Sequence, residues 1–188
     1  FHSLGVRLLR QYADRLGLDR NFTIYDQADR TRLVKTALDS AGMDNVRFTP
    51  DTIQAAISKA KNQLLLPEAY AAKAKDFFTR VVAEAYAAYE KKLREANALD
   101  FDDLLLWPAL ALKNDAEMRA ELDARFRYLM VDEYQDTNQA QYEIARRISQ
   151  DQPNLCVVGD PDQSIYKWRG ANIGNILNFE RDFPQARI

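Results

Sequence analysis

The chain has 188 residues, of which 47% are hydrophobic and 29% charged, and its formal net charge is −2. These values are ordinary for a globular protein with one or two domains. They exclude a strongly basic protein that holds nucleic acid by charge alone, so any such binding must use stacking aromatic side chains and a few placed cations. No apolar run is long enough to cross a bilayer, and no signal peptide or low-complexity tract is present.

Cysteine and histidine are scarce. The single cysteine, Cys156, excludes an intramolecular disulfide and fits the reducing cytoplasm. One cysteine and one histidine, His2, argue against a structural zinc site. Because the chain begins with Phe1 and not with Met, we expect it to be an internal segment of a longer protein.

The first two thirds of the chain, from about residue 4 to 126, have the apolar periodicity of helices. A first helix is predicted up to Gly17, and its inward positions are Leu4, Leu8, Leu9, Tyr12 and Leu16. A second helix is predicted after Asp26 and ends near Gly42. Its inward positions are Leu33, Val34, Ala37 and Leu38.

Three further helix starts follow in this region. Thr49 and Pro50 are a capping residue and a first-turn proline, and Pro67 starts a long helix. Asp100 and Asp103 bracket the next start and place negative charge on its first turn. The long helix is predicted to bury Phe77, Val81, Ala85 and Tyr89, with Phe78, Val82 and Tyr86 beside them. We interpret all of these stripes as helix core.

From about residue 127 the pattern changes to strand, helix and strand. Residues 128–131 and 155–158 are short apolar runs, typical of strands buried on both faces of a sheet. A helix starts between them at Thr137 and Asn138, with Tyr142, Ile144, Ala145 and Ile148 as inward positions. Such a unit predicts two parallel, neighbouring strands. Its sheet would keep an unpaired edge, which favours dimerisation of the segment or a rearrangement that covers the edge.

Acidic residues follow both predicted strands. Asp132 and Glu133 end the first strand, and Asp160 ends the second. Parallel pairing brings these carboxylates to one edge of the sheet, where ligands of open α/β sheets bind. Mg²⁺ suits such a group, and an adjacent glutamate can activate a water molecule for attack on a phosphate. A strand followed by Asp-Glu is also found in proteins that bind no nucleotide. The pattern alone therefore supports a magnesium site and a solvated acidic loop equally.

Two longer motifs decide between these interpretations. Residues 131–138, VDEYQDTN, closely resemble the Walker B motif of superfamily 1 DNA helicases of the UvrD/Rep/PcrA type. Residues 158–171, VGDPDQSIYKWRGA, resemble the third motif of the same family. Residues 1–3 resemble the end of an earlier motif, and residues 98–105, ALDFDDLL, match another recurrent stretch. The resemblance therefore runs along the whole chain.

The resemblance implies a fold and a layout. The fold class is α/β: part of a RecA-like P-loop NTPase sheet with an inserted all-helical subdomain, mostly helical by residue count. Residues 1–12 and 99–188 would belong to the first motor domain, and residues 13–98 would form the helical accessory subdomain. The parent protein would be an ATP-dependent DNA helicase that translocates on single-stranded DNA and unwinds duplex DNA, as in DNA repair and replication.

The resemblance also implies roles for single residues. Asp132 would bind Mg²⁺, and Glu133 would be the general base of ATP hydrolysis. Gln163 would sense the γ-phosphate, and Arg169 would tie the third motif to the acidic pair. The DNA contacts would come from Trp168, with Tyr166 nearby, and from His2. Gln163 and Trp168 lie five residues apart, so one loop can respond to both phosphate and base.

One element of an ATP site is missing. No GxxxxGK[ST] loop, which cradles the phosphates, occurs in the 188 residues. We therefore expect ATP and Mg²⁺ to act in the parent protein and the isolated segment to be inactive. A helicase–nuclease subunit of the RecB/AddA type, a non-catalytic DNA-binding module and a domain with a degenerate nucleotide site remain the alternatives.

Overall fold

The computed structural model describes residues 1–43, 48–150, 154–164 and 170–187. The chain divides into two compact units, Phe1–Pro108 and Ala109–Ile188. The described residues are mostly helical and include two small parallel sheets of two strands each. In the described ranges, no helix is both long and apolar enough to span a membrane. The predicted boundaries at residues 12 and 98 differ from this division, because they separate a motor domain from its insertion and not two compactly packed units. The predicted layout of residues 1–12, 13–98 and 99–188 stays a prediction.

The first unit is built mainly from helices. In chain order they are α1 (His2–Gln11), α2 (Ala13–Leu16), α3 (Gln27–Ser40), α4 (Pro50–Asn62), α5 (Pro67–Ala71) and α6 (Phe77–Glu95), and α7 (Asp103–Asn114) begins in this unit. It also contains β1 (Thr23–Ile24) and β2 (Ala98–Leu99), which pair in parallel. The expectation that residues 4–126 are helical throughout is wrong at this pair, because strands of two residues are too short to show an alternating pattern.

Several helix ends lie where the capping residues predict them. Gly17 ends α2 with a left-handed φ of 65°, although the predicted first helix is interrupted at Tyr12. Asp26 caps α3 by accepting a hydrogen bond from the Asp29 amide, and Thr49 caps α4 before Pro50. These caps satisfy amide groups that the first turn of a helix leaves without partners.

The start of the long helix is a correction. Pro67 begins only the short α5, and the long α6 begins at Phe77. Asp76 and Thr79 form a capping box there, in which each side chain accepts a hydrogen bond from the other residue's amide. Phe77 is 68% exposed at this first position, so its predicted burial is wrong, whereas Val81, Ala85 and Tyr89 are buried.

The core of the first unit lies between α3, α4 and α6. Its fully or nearly buried apolar residues include Val34, Ala37, Leu38, Ile53, Ile57, Val81, Val82, Ala85, Tyr86 and Tyr89. A second cluster around Leu9, Phe22, Leu99 and Leu104 packs α1 and α7 against β2. Most positions of the helical stripes predicted as core are buried, but Phe77 is exposed. The remaining exceptions are half-buried: Leu4, Leu16, Leu33 and Phe78.

A buried charge cluster joins α4 and α6 to the start of α7. Lys61 is fully buried, and its Nζ lies 2.6 Å from Glu90, 2.7 Å from Asp103 and 2.9 Å from Asp100. Burial lowers the pKa of Lys61, but the three carboxylates outweigh burial and hold its pKa well above the usual value. Arg30 adds a second cation, 2.6 Å from Asp102. Asp100 and Asp103 thus lie at the start of α7, as predicted. Each side chain accepts a hydrogen bond from the other residue's amide, and both carboxylates also face the buried lysine.

The second unit contains the strand–helix–strand segment. Its elements are α8 (Ala116–Arg125), β3 (Leu129–Val131), α9 (Gln139–Ile148), β4 (Leu155–Val157), α10 (Gly174–Leu177) and α11 (Phe179–Asp182). Short 3-10 turns follow the two strands at Tyr134–Asp136 and Pro161–Gln163. All four inward positions predicted for α9 are buried, and Asn138 caps that helix. The predicted elements of this segment are confirmed.

Burial of the two strands differs from the prediction. Val131 is buried, but Met130 is 74% exposed, and its partner across the sheet, Cys156, is exposed as well. Tyr128 and Val158, at the ends of the strands, are also exposed. The sheet therefore has one covered and one open face. The prediction failed because an apolar run shows only that a strand can be buried on both faces, not that it is.

Candidate functional site

The carboxyl ends of β3 and β4 lie side by side. The strands are parallel, with Leu129, Met130 and Val131 opposite Leu155, Cys156 and Val157. The pairing continues past both strands: Val158 donates to the Val131 carbonyl at 2.8 Å, and Tyr134 donates to the Val158 carbonyl at 3.0 Å. The predicted parallel, neighbouring strands are confirmed, and the acidic residues that follow them leave the same edge of the sheet.

The first acidic pair sits on a sharp turn. Glu133 has φ 52° and ψ 43°, in the left-handed region that few non-glycine residues adopt. Such a conformation costs about 1–3 kcal/mol and is concentrated at functional sites. The Glu133 amide donates to Oδ1 of Asp132 at 2.9 Å, and both side chains are exposed. The turn thus presents two adjacent carboxylates to solvent at the strand end.

Gln135 connects this turn to the end of β4. Its Nε2 donates to Oε2 of Glu133 at 2.7 Å, and its Oε1 accepts from the Asp160 amide at 3.1 Å. The Gln135 side chain is buried, with 1% of the residue exposed. We did not predict a role for Gln135 from the sequence. The sequence shows that Gln135 lies two residues after Glu133, but it does not show the contact with Asp160, which is 25 residues away along the chain.

The predicted phosphate sensor lies on the neighbouring turn. Nε2 of Gln163 donates to Oδ2 of Asp160 at 2.7 Å, while Oδ1 of Asp160 accepts from the Asp162 amide at 2.9 Å. Gln163 is exposed. Hydrogen bonds therefore run from Glu133 through Gln135 and Asp160 to Gln163.

Residues after the third motif return to the same turn. The Asn172 amide donates to the Thr137 carbonyl at 2.9 Å. Nδ2 of Asn175 donates to that carbonyl and to Oγ1 of Thr137, both at 3.0 Å. Asn175 and Thr137 are buried, so this contact anchors residues 172–175 beside the acidic turn.

The donor set can be tested against the predicted Mg²⁺. Among the described residues, no three His, Cys, Asp or Glu side chains are arranged to hold a metal. Asp132 is exposed, and its Oδ1 already accepts from the Glu133 amide. A single exposed carboxylate suits Mg²⁺, which keeps several waters and takes one or two carboxylates together with phosphate oxygens. Asp132 fits as one ligand of such a site.

Of the residues predicted to contact DNA, the structure describes only His2. Tyr166 and Trp168, together with Arg169, lie outside the described residues. His2 lies in the first unit and stacks on Phe101, with 4.0 Å between ring centroids and 27° between ring planes. Phe101 is 51% exposed, and we did not predict a role for it, although it lies within the recurrent stretch at residues 98–105. Burial, and then the charge of the N-terminus, lowers the pKa of His2 to about 4, so the ring is neutral at pH 7.

Comparison with known proteins gives a consistent result. The family model described as the UvrD/REP helicase N-terminal domain matches residues 1–184. The chain is 45% identical over 188 residues to the ATP-dependent DNA helicase PcrA of Bacillus subtilis, covering all of this chain and 25% of that protein. The protein of the same name from Staphylococcus epidermidis is 46% identical over 187 residues, covering 100% of this chain and 26% of that protein. The one from Leuconostoc citreum is 46% identical over 186 residues, covering 99% of this chain and 25% of that protein.

The match covers nearly the whole chain, whereas the chain spans about a quarter of the length of these curated relatives. It includes both long motifs that carry the resemblance, at residues 131–138 and 158–171. The chain belongs to the UvrD/REP helicase N-terminal domain family.

Proposed function

We propose that the protein containing this segment is an ATP-driven DNA helicase and that the β3–β4 edge supplies the catalytic part of its ATP site. The observation that carries the proposal is the hydrogen-bonded series from Glu133 to Gln163 across two parallel strand ends. This series supports the proposal because it connects Glu133, the candidate base, with Gln163, the candidate phosphate-sensing amide. The relatives named ATP-dependent DNA helicase PcrA support the same function.

In this proposal Glu133 acts as the general base. Its exposed carboxylate accepts a proton from a water molecule as the water oxygen attacks the γ-phosphorus of ATP, and the bond from that phosphorus to the oxygen bridging to ADP breaks. Mg²⁺, when bound with ATP, would offset charge on the phosphate oxygens, and Asp132 would hold it directly or through water. Gln163 would exchange its hydrogen bond with Asp160 for one with the γ-phosphate.

DNA contact would come from aromatic side chains. We assign base stacking to Trp168, with Tyr166 nearby, and the link between the third motif and the acidic pair to Arg169. These three residues follow Gln163 within six positions, so a shift of Gln163 on hydrolysis would reach them through the backbone. His2 would contact DNA beside its stacking partner Phe101, which offers an exposed aromatic surface.

The domain layout belongs to the same proposal. Residues 1–12 and 99–188 would form part of a RecA-like motor domain, and residues 13–98 its helical accessory subdomain. The parallel β3–β4 pair agrees with the motor assignment, and the α3–α4–α6 core agrees with the helical one.

The experiment is an assay of the full-length protein that carries this segment. We expect Mg²⁺-dependent ATP hydrolysis that single-stranded DNA stimulates, together with ATP-dependent displacement of a labelled strand from a duplex. Hydrolysis that ignores DNA, or no strand displacement, would contradict the helicase assignment. The 188-residue chain alone should show no turnover, because it lacks the phosphate-binding loop.

A further inference from the structure

The side-chain amide of Gln135 uses both of its ends inside the candidate site. One end donates to the Glu133 carboxylate at 2.7 Å, and the other accepts from the backbone amide of Asp160 at 3.1 Å. The amide orientation follows from these partners. A flipped amide would set its oxygen against the carboxylate and its NH₂ group against the Asp160 N–H, so both contacts would become repulsive.

The surroundings leave this amide little freedom. Only 1% of Gln135 is exposed, so water cannot easily replace either hydrogen bond. Gly159 allows the close approach of β4: a Cβ at that position would lie 2.4 Å from Oε1 of Gln135 and 2.9 Å from Cδ1 of Ile176. The site is therefore built around the Gln135 side chain.

Glu133 depends on this contact for its orientation. Its side chain is exposed and extends from a left-handed turn, where solvent alone would leave several rotamers open. The bond from Gln135 fixes one carboxylate oxygen and leaves the other, Oε1, for a substrate water. A general base must lie within hydrogen-bond reach of the proton it accepts, so its orientation bears directly on the rate.

We propose that Gln135 is a positioning residue for ATP hydrolysis: it orients the Glu133 carboxylate and ties that orientation to the position of Asp160 and Gln163. The inference rests on the proposed role of Glu133 as the general base. Because one amide group holds both partners, a shift of the Gln163 turn that moves Asp160 also moves the hydrogen bond to Glu133. Through Gln135, the orientation of the Glu133 carboxylate therefore depends on the position of the turn that carries Gln163.

The test uses the full-length protein with two substitutions at this position. Gln135→Met keeps the length of the side chain and removes both hydrogen bonds. Gln135→Glu keeps an acceptor for the Asp160 amide, and once both carboxyls are ionised it cannot donate to Glu133, so its kcat is followed up to alkaline pH. Gln139→Met, at the start of α9 and outside the site, is the matched control. Thermal unfolding and binding of a fluorescent ATP analogue show that each variant is folded and holds nucleotide.

We expect both Gln135 variants to lower kcat by about 10–100-fold, by analogy with the loss of a partner that orients a metal ligand. KM for ATP and analogue affinity should stay within about twofold of wild type, and Gln139→Met should behave as wild type. The deciding measurement combines Gln135→Met with Glu133→Gln. Because a positioning residue acts only through the base, the double variant should be no slower than Glu133→Gln alone.

Each other outcome overturns the inference. Equal fractional losses from Gln135→Met in the wild-type and Glu133→Gln backgrounds would mean that Gln135 has only a structural role. Wild-type kcat in Gln135→Glu at alkaline pH, where residue 135 is ionised, would mean that only the contact with Asp160 matters. If Glu133→Gln itself keeps wild-type turnover, the proposed function of Glu133 fails first, and the inference falls with it.

Discussion

Replacing Lys61 with methionine should destabilise the first unit strongly. The substitution keeps most of the aliphatic stem but leaves Asp100 and Asp103 buried without the ammonium group that lies 2.9 Å and 2.7 Å from them. Removing one partner of a buried ion pair costs about 3–5 kcal/mol. For a chain of this size that corresponds to a fall in Tm of roughly 6–20 °C.

Chemical denaturation at neutral pH, followed by far-ultraviolet circular dichroism, measures this difference in unfolding free energy. The matched control is Lys59→Met, because Lys59 is an exposed lysine on the same helix. Adding Asp103→Asn to Lys61→Met should recover part of the loss, since it removes one uncompensated charge and keeps an acceptor for the Asp100 amide. A loss for Lys61→Met within about 1 kcal/mol of the control would refute the reasoning, because exposed charge pairs are worth about that much.

The same cluster predicts a dependence on pH. The pKa of Lys61 is raised in the folded state above its ordinary value of 10.5. The stabilisation from its charge is therefore fully present below pH 10.5 and is lost as the pH rises through the folded-state value. The stability gap between wild type and Lys61→Met should thus be constant near neutral pH and narrow at strongly alkaline pH. If the difference in unfolding free energy widens at alkaline pH instead, the folded state does not raise the pKa of Lys61 and the prediction is wrong.

Three further predictions concern the second unit and the DNA contact. Asn175→Ala should cost about 1–3 kcal/mol of stability in denaturation, because it removes both hydrogen bonds to buried Thr137; an exposed control such as Asn154→Ala should cost little. In the full-length protein, Trp168→Ala should weaken binding of single-stranded DNA by about 1–3 kcal/mol with little sequence preference in fluorescence anisotropy, and unchanged affinity would exclude stacking. The unpaired edge predicted for the β3–β4 sheet favours a dimer or a rearrangement that covers the edge, so light scattering of the 188-residue chain should show a dimer at high concentration; a clean monomer would count against dimerisation.

Sequence patterns predicted the elements that depend on local chemistry. Asp26, Thr49 and Asn138 cap helices within one turn of themselves, and each lies where its pattern places it. The parallel pairing of β3 and β4 also followed from short-range signals, namely two apolar runs separated by one helix. The candidate acidic residues were located by their positions at the strand ends.

Contacts between distant residues could not be predicted in this way. Lys61 has the pattern of a helix-surface lysine, and its burial depends on three distant carboxylates, of which Asp100 and Asp103 lie 39 and 42 residues later. Gln135 gains its second partner only when β4 pairs with β3. The long helix starts at Phe77 and not at Pro67, because the Asp76–Thr79 capping box fixes a start that proline alone does not.

The rate of ATP hydrolysis by Glu133→Gln in the full-length protein tests the central claim most directly. The substitution preserves size and the ability to hydrogen-bond but removes the base, so turnover should fall by about 10²–10⁴-fold. Binding of ATP and single-stranded DNA should remain close to wild type. Turnover that stays at the wild-type rate would show that the edge formed by β3 and β4 does not carry the catalytic base.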